Sequence, residues 1–556
     1  MNRFEHRLVE EQQGAAQFLN ALQPWQGVVG RYASRSPSPR PSPRGEGETF
    51  ARCSTNRTCP DCNHDEQTLL PLPKGEGRGE GKGIVQLHDR TINVLRPVPS
   101  AGNAIPQSNS KARAQGSILI IVLWIVFGLV SITLYFANSM TFELRASDNR
   151  VAGIEAEQAI EGARRYFSCV LSNLNAPGVM PDPQTYLHEA VPVGNARFWV
   201  IGRSDATDTP TIPHFGLMDE SAKMNLNSAS SNMLINLPRM TPELVANILA
   251  WRSTNTSSLA GGAESDIYMS QQPPYLCKNA PFESVEELRL VYNMDMDILY
   301  GEDANLNGAL DPNENDGDVL PPTDNLNGQL DPGLLEYVTV YSREPSTYTN
   351  ATSSGSATNA NRINISTPAD FSRLSTLLIQ QFGETRARQI YPQNSAPIPF
   401  TSPLQFFMSR KVSVSEIAQI ETAIRGARIV GLINVNTASA AVLACIPGLD
   451  SGQAAQLTAY RQANTNTLNG SIGWVTQVLN ATNAATAGPY LTGKSYQYMA
   501  DIAAIGHNGR GYRRTRFIFD TSKGAPVILR RQDLSQLGWA LGKDVRDKWL
   551  MAKQTP

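Results

Sequence analysis

The sequence predicts an α+β protein. One long amino-terminal helix crosses a membrane, a small antiparallel sheet follows, and a large, mainly α-helical domain containing two helix-hairpin-helix repeats is inserted into that sheet. Three observations carry this reading. The stretch from Ser117 to Phe136 has no charged residue. Strand-like runs occur at Ala196 to Ile201 and again only beyond Tyr496. Between them, a segment at Met224 recurs without a gap at Ile433.

At 556 residues the chain has room for roughly two to four domains, and 41% hydrophobic residues suffice for real cores. A net charge of -2 gives no sign of a nucleic-acid partner. Residues 1–110 do not read as a folded domain. The Pro/Gly/charge run from Ser36 to Gly47 is echoed from Leu72 to Gly81, and such repeats bury too little apolar surface to offset chain entropy. This extension is expected to be disordered, and a translation start near Ser108 would make it an artefact of the assigned start. Within it, Cys53, Cys59, Cys62 and His64 have zinc-ligand spacing, but the low-complexity flanks supply no fold around a metal. Cys169, Cys277 and Cys445 are odd in number; two can pair in an oxidising compartment, or all can stay as thiols.

Ser117 to Phe136 reaches about 30 Å as a helix, the thickness of a bilayer core. Lys111 and Arg113 precede it, while Glu143, Arg145 and Asp148 follow it. The positive-inside bias therefore puts the amino end in the cytoplasm and the rest of the chain outside. A cleaved secretory signal has a shorter apolar core and small residues beyond it, for which Ala137, Asn138 and Ser139 are a poor match. The segment from Lys111 to Gly116, followed by Ser117, instead resembles the type IV prepilin leader. That resemblance implies cutting by prepilin peptidase between Gly116 and Ser117, with methylation of the new terminus and retention of the anchor. Most pilins and pseudopilins carry glutamate at the fifth mature place, where a carboxylate in lipid needs a partner; here the residue is Ile121. In this departure the chain resembles the minor pseudopilin K family of the type II secretion system (general secretion pathway protein K).

From Thr141 to Asn175 the helical pattern continues, with Ala146, Ile154, Ile160, Ala163, Phe167, Val170 and Leu171 near one stripe. Pro177, Pro181 and Pro183 end it, and the strand Ala196 to Ile201 follows in the helix-then-sheet order of a pilin. Tyr496 to Ile502 and Tyr512 to Phe519 supply the closing strands around Gly506 to Gly511.

The insert opens with Asp219, Glu220, Lys223, Asn225 and Asn227 in an Asp-Glu-x-x-Lys-x-Asn-x-Asn pattern that resembles the same family. Met224-Asn-Leu-Asn-Ser-Ala-Ser230 through Trp251-Arg252 then matches Ile433-Asn-Val-Asn-Thr-Ala-Ser439 through Tyr460-Arg461. Each copy predicts a short helix, a Pro-led turn and a second helix. A DNA-binding hairpin needs bare glycines at phosphate, whereas these turns read Pro238-Arg-Met-Thr241 and Pro447-Gly-Leu-Asp450. Packing, not nucleic-acid binding, is the predicted role.

Between the copies, Phe282 to Val291 predicts an amphipathic helix that also resembles the family. Asp303, Asn305, Asn307, Asp311 and Glu314 then occupy the first, third, fifth, ninth and twelfth places of a calcium loop, with Gly308 at the sharp turn and the Ala309 carbonyl as a further ligand. Asn325, Asn327 and Asp331 repeat the frame, but Thr323 and Leu334 hold its ends; Asp316, Asp318 and Glu336 are candidates to complete it. No Lys or Arg lies between Arg289 and Arg343, so these acids repel one another without a cation. Ca2+ is thus expected at the first loop and as a second, weaker ion at the other.

Ser346 to Asn361 predicts a mobile loop, and Pro368 to Phe382 and Val412 to Ile424 predict helices. The exported region has only His188, His214 and His507, none in a nucleophile, protease or phosphate-loop motif, so no enzyme is expected. The predicted organisation is 1–110 extension, 111–116 leader end, 117–137 transmembrane helix, 138–204 pilin-like helix and first strands, 205–485 insert, and 486–556 closing strands and tail. The resemblance, over Lys111 to about Leu550, implies a minor pseudopilin of the bacterial inner membrane with its carboxyl region in the periplasm. It would cap a pseudopilus tip and help to start its assembly. Its implied partners are other minor pseudopilins, the inner-membrane assembly platform and prepilin peptidase, with no nucleic acid. The alternative is a membrane-anchored, calcium-stabilised binding module for cargo or polysaccharide.

Overall fold

The computed structural model describes residues 115–551 apart from 175, 205–209, 255–260, 352–356, 393–398, 466–467 and 469. The extension with its cysteines and His64, and the leader residues Lys111 and Arg113, lie outside the described residues. Helix α1 (Gln115–Ser172) runs unbroken for 58 residues. From Ile118 to Phe136 it exposes no charged side chain and mostly apolar ones, Leu119 at 72% and Trp124 at 76% among them, while Ser131 and Thr133 turn their hydroxyls back to the helix carbonyls four residues before, a composition suited to lipid. Ala152 is the first buried side chain, and Ala156, Ala159, Ile160, Ala163, Phe167 and Leu171 continue the stripe at helical spacing. Ile154, predicted for that stripe, is 53% exposed. Small alanines take its place because they let the helix approach the sheet closely.

The sheet is antiparallel. Strands β1 (Val191–Val193), β2 (Ala196–Ile201), β3 (Met218–Asp219), β4 (Gln497–Ile505), β5 (Arg513–Asp520) and β6 (Val527–Asp533) are ordered β1-β2-β4-β5-β6. On the β2 side of β4, β2 pairs Asp501 to Ile505 and β3 pairs Tyr498 and Met499. Every residue of β4 is buried. Tyr498, Ala500, Ile502 and Ala504 face α1, and Ala503 and Ile505 pack with Trp199, Ile201, Ala540 and Leu541 on the other face. Trp549, from the last helix Gly542–Met551, caps this second layer edge-on to Trp199 at 6.4 Å.

The chain leaves this sheet after β3 and returns at β4, and what lies between has its own large core. Most of the regular elements of the insert are helices, with short strands between them. Three parallel strand pairs stitch it together: Met224–Asn225 with Val338–Thr339, Ile363–Asn364 with Ile424–Arg425, and Ile433–Asn434 with Leu491–Thr492. Each is only two residues long and joins segments far apart in sequence, so no local periodicity announces it. The predicted mobile loop from Ser346 to Asn361 contains a hairpin, Thr347–Ala351 with Ala357–Asn361; its arms are rich in Thr, Tyr and Asn, and threonine and tyrosine favour pleated backbone. The predicted helix at Phe282 to Val291 is a 3-10 segment, Val285–Leu290, started by a Ser284/Glu287 capping box. The helix predicted from Pro368 runs as Phe371–Ile390 with a break at Gly383, φ 76°, and the one predicted from Val412 stops at Ile420 before the Ile424–Arg425 strand.

Candidate functional site

The repeat folds as the same unit twice: a two-residue strand, a short helix, a turn and a longer helix. The first copy comprises Met224–Asn225, Ser231–Leu234 and Pro242–Arg252. The second comprises Ile433–Asn434, Ala440–Ala444 and Ser451–Ala463. The Asn-x-Asn pair is explained locally. Asn225 Oδ1 accepts the Asn227 N–H at 2.9 Å, and Asn434 Oδ1 accepts the Asn436 N–H at 3.0 Å. The arginine that ends each repeat reaches back to the same loop. Arg252 donates to the Leu226 and Ala229 carbonyls, and Arg461 donates to Val435 and Ala438 at 3.1 and 2.8 Å. In the turns, Arg239 and Gly448 hold equivalent left-handed positions, φ 61° and 88°. The longer helices are capped from within: Thr241 accepts the Leu244 N–H and Asp450 accepts the Gln453 N–H. Those amides serve the fold, which leaves fewer donors to meet a phosphate.

The Asp-Glu pair at the mouth of the insert is buried and structural. Asp219 accepts from the Ser221 backbone, from Asn434 at 2.7 Å, from Thr437 at 2.6 Å and from Ser495. It thereby ties the first copy's approach to the second copy. Glu220 accepts from Thr339.

The first acidic loop is compact and buried. Asp303 Oδ1 and Oδ2 accept the Asn307 and Gly308 N–H groups, both at 2.9 Å. Asn305 and Asn307 accept the backbone N–H two residues on and donate Nδ2 to Asp311 Oδ2 at 2.7 and 2.9 Å. Leu306 and Gly308 both have positive φ, 55° and 71°; a Cβ on Gly308 would sit 2.7 Å from Arg203 Cδ. Ala309 is fully buried. Glu314, 1% exposed, accepts from Asp311 N–H at 3.0 Å and Ala304 N–H at 3.2 Å. Burial, then the Asp303 and Asp311 carboxylates, push its carboxyl up to about 8. Burial likewise raises Asp303, against the pull of Arg203. Oxygen donors around several carboxylates, with Arg203 near Asp303, suit a hard divalent cation, and Asp303, Asn305, Asn307, Asp311 and Glu314 are the residues that would hold it. Among the described residues, however, no three carboxylate, imidazole or thiolate groups stand close enough to share a metal; the two asparagines bridge to Asp311 with nitrogen rather than oxygen.

The second loop copies this frame in a more exposed setting. Leu326 and Gly328 have φ 55° and 71°, and Asn325 and Asn327 donate to Asp331 Oδ2 at 2.8 and 3.4 Å. Its missing glutamate comes from elsewhere: Glu302 Oε2 accepts the Asp331 N–H at 3.1 Å, as Glu314 Oε2 does for Asp311. Glu336, predicted for this role, instead pairs with Arg203 at 2.8 Å. Burial pushes its carboxyl up, but Arg203 and Lys223 outweigh that and hold it below the usual range. Asp316 and Asp324 are joined through the Asp316 N–H at 2.7 Å, and Asp318 is exposed. Sequence reading missed Glu302 because it adjoins Asp303 and lies far in sequence from Asp331.

Two further residues escaped it. Arg514, fully buried in β5, donates to both oxygens of Asp501 at 2.8 Å and to the carbonyls of Asn305 and Leu306. Arg203 reaches Leu306 from the other side at 3.4 Å. The first loop is therefore bolted to the sheet. Gly116 and Ser117 lie within α1, near its amino end, and Ile121 is 56% exposed. Cys169, Cys277 and Cys445 are free thiols, the latter two buried.

Two family models, both described as type II secretion system protein K, match residues 220–300 and 433–486. The type II secretion system protein K of Klebsiella pneumoniae is 40% identical over 58 residues, which is 10% of this chain and 18% of that relative. A crystal structure of the GspK-GspI-GspJ complex from the enterotoxigenic Escherichia coli type 2 secretion system aligns with 71% of this chain and 98% of its own, at 12% identity and a TM-score of 0.31. Each family segment contains one copy of the packing unit, and over these two segments the chain is similar to the type II secretion system protein K family.

Proposed function

We propose that this chain is the minor pseudopilin that caps a type II secretion pseudopilus and helps to start its assembly. The observation that carries the reading is the coincidence of the two family segments with the two packing units, in an insert that interrupts a sheet seated on an apolar anchor helix. In this mechanism α1 is held in the inner membrane with the carboxyl region in the periplasm, and packs among other minor pseudopilins. Ile121 offers no carboxylate to a subunit above, and the broad insert obstructs stacking, so growth proceeds from the membrane side on the assembly platform. The repeated units are read as helix-hairpin-helix relatives used for protein packing. Affinity capture of the full chain from membranes tests this. Recovery of partner pseudopilins bearing the fifth-residue glutamate is expected; a cargo-only or polysaccharide-only complex, or normal secretion after deletion of the gene, overturns it.

Two parts of the reading are tested separately. Prepilin peptidase is expected to cut between Gly116 and Ser117, and Gly116→Trp should leave the precursor at its uncut mobility; a shift to the mature mobility in that variant refutes the site. A calcium ion is expected at Asp303, Asn305, Asn307, Asp311 and Glu314, with a second at Asn325, Asn327, Asp331 and Glu302. When bound it adds positive charge to that of Arg203 beside the carboxylates. Isothermal titration of the purified chain with CaCl2 after EGTA treatment should give heat that Asp303→Asn abolishes at the first site; no heat in the wild type refutes both.

A further inference from the structure

We infer that His507 is a proton-dependent clamp that fixes the anchor helix to the head at the point where the helix leaves its exposed apolar stretch. His507 lies in the β4–β5 connection, and its two ring nitrogens face two different carboxylates on α1. Nδ1 is 2.6 Å from Glu155 Oε2 and Nε2 is 2.8 Å from Asp148 Oδ1. A neutral imidazole has one N–H and one lone pair, so it can donate to only one of them; the imidazolium donates to both. The His507 backbone N–H adds a third bond to Glu155 at 3.0 Å.

The seat is built by shape as well as charge. A Cβ on Gly506 or Gly511 would meet Ala152 backbone atoms at 2.2 and 2.3 Å. The connection is therefore pressed on the helix turn between Asp148 and Glu155, and Ala152 is the first buried side chain of α1. Arg510 pairs with Asp148. Arg513, from β5, lies beside Gly153; the β1–β2 turn offers the neutral Asn195, 3.5 Å from Glu155, and the last helix offers Trp549 against Gly509. With Arg510, an imidazolium balances the two carboxylates. A neutral ring removes one positive charge from this cluster and leaves a nitrogen lone pair facing a carboxylate oxygen.

The sign follows. While the ring is protonated it donates to both carboxylates; as rising pH deprotonates it, one of the two ring bonds is lost. The hydrogen bonds from the His507 backbone and ring hold the Glu155 carboxyl below its usual range, so that half of the clamp persists until strongly acid pH. With the ring protonated both carboxylates are held and the junction is closed; with the ring neutral the turn from Asp148 to Glu155 is held less tightly, while the sheet stays intact.

Amide hydrogen exchange of the full chain in lipid nanodiscs, corrected for intrinsic rates, tests this at roughly pH 5.5 and 8.5. Protection of the amides between Asp148 and Glu155 should fall about tenfold or more with rising pH, with β4 and β5 amides as the unchanged reference. His507→Gln should remove that pH dependence, and Arg510→Gln should keep it. If His507→Gln also weakens the β4 reference, the ring nitrogens are followed by NMR in the wild type instead. Loss of the second ring proton should then coincide with the loss of protection. Equal pH dependence in wild type and His507→Gln, or protection that ignores ring deprotonation, overturns the clamp.

Discussion

The two acidic loops share a backbone and differ in how they are closed. Both hold a Leu and a Gly at matching positive φ, and both bridge two asparagines to one aspartate. The first is buried, closed by its own Glu314 and clamped to the sheet by Arg514 and Arg203. The second is largely exposed and takes its glutamate from Glu302, just ahead of the first loop. The loop frame is thus a local property, since its hydrogen bonds span only two to six residues; the closing carboxylate is a tertiary one.

Breaking the clamp should have the largest effect. Arg514→Ala leaves the fully buried Asp501 carboxylate with Arg516 as its remaining arginine partner and should cost about 3 kcal/mol in chemical denaturation. Because Arg514 holds only the first loop, calcium binding there should weaken while the second loop is unaffected. A loss at both loops would show that they act as one unit.

Calcium sharpens the comparison. At about a hundred times its dissociation constant, one ion should stabilise the native chain by about 2.7 kcal/mol, read as a rise in melting temperature that EGTA reverses. Glu314→Gln should remove the first loop's share and Glu302→Gln the second loop's. An unchanged shift in either variant breaks the assignment of that residue.

The metal-free loops should also differ in pH response. Glu314 is pushed up to about 8 from its ordinary 4.5, chiefly by burial. Between those values the folded state keeps a proton that the unfolded state has released. Without metal, stability should therefore fall, by on the order of 1–3 kcal/mol, as pH rises through that window. Calcium or Glu314→Gln should flatten the slope, measured by urea unfolding across pH.

The smallest expected effect separates the sequence reading from the geometry. Glu336→Gln weakens the pair with Arg203 and should lower stability, yet leave the calcium-induced shift of the second loop unchanged. A lost shift would restore Glu336 as a ligand.

The sequence by itself determined whatever rests on near neighbours. The uncharged run from Ser117 to Phe136 dictates an apolar helix. The gapless repeat dictates two copies of one unit, because each Asn-x-Asn turn, helix cap and returning arginine lies within about thirty residues of its partners. The same locality made the Asn-Leu-Asn-Gly frames of both loops legible. Tertiary structure decided what depends on which distant segments meet. Two-residue parallel strands carry no periodicity, so the pairs that stitch the helical insert together were not legible. Glu302 rather than Glu336 closes the second loop because an ion pair with Arg203 claims Glu336. Arg514 meets the first loop, and His507 meets Asp148 and Glu155, only once the sheet has brought together segments separated by 208 and 352 residues or more. The electrostatic attraction that holds such pairs is strong only at contact, and contact is a product of the fold.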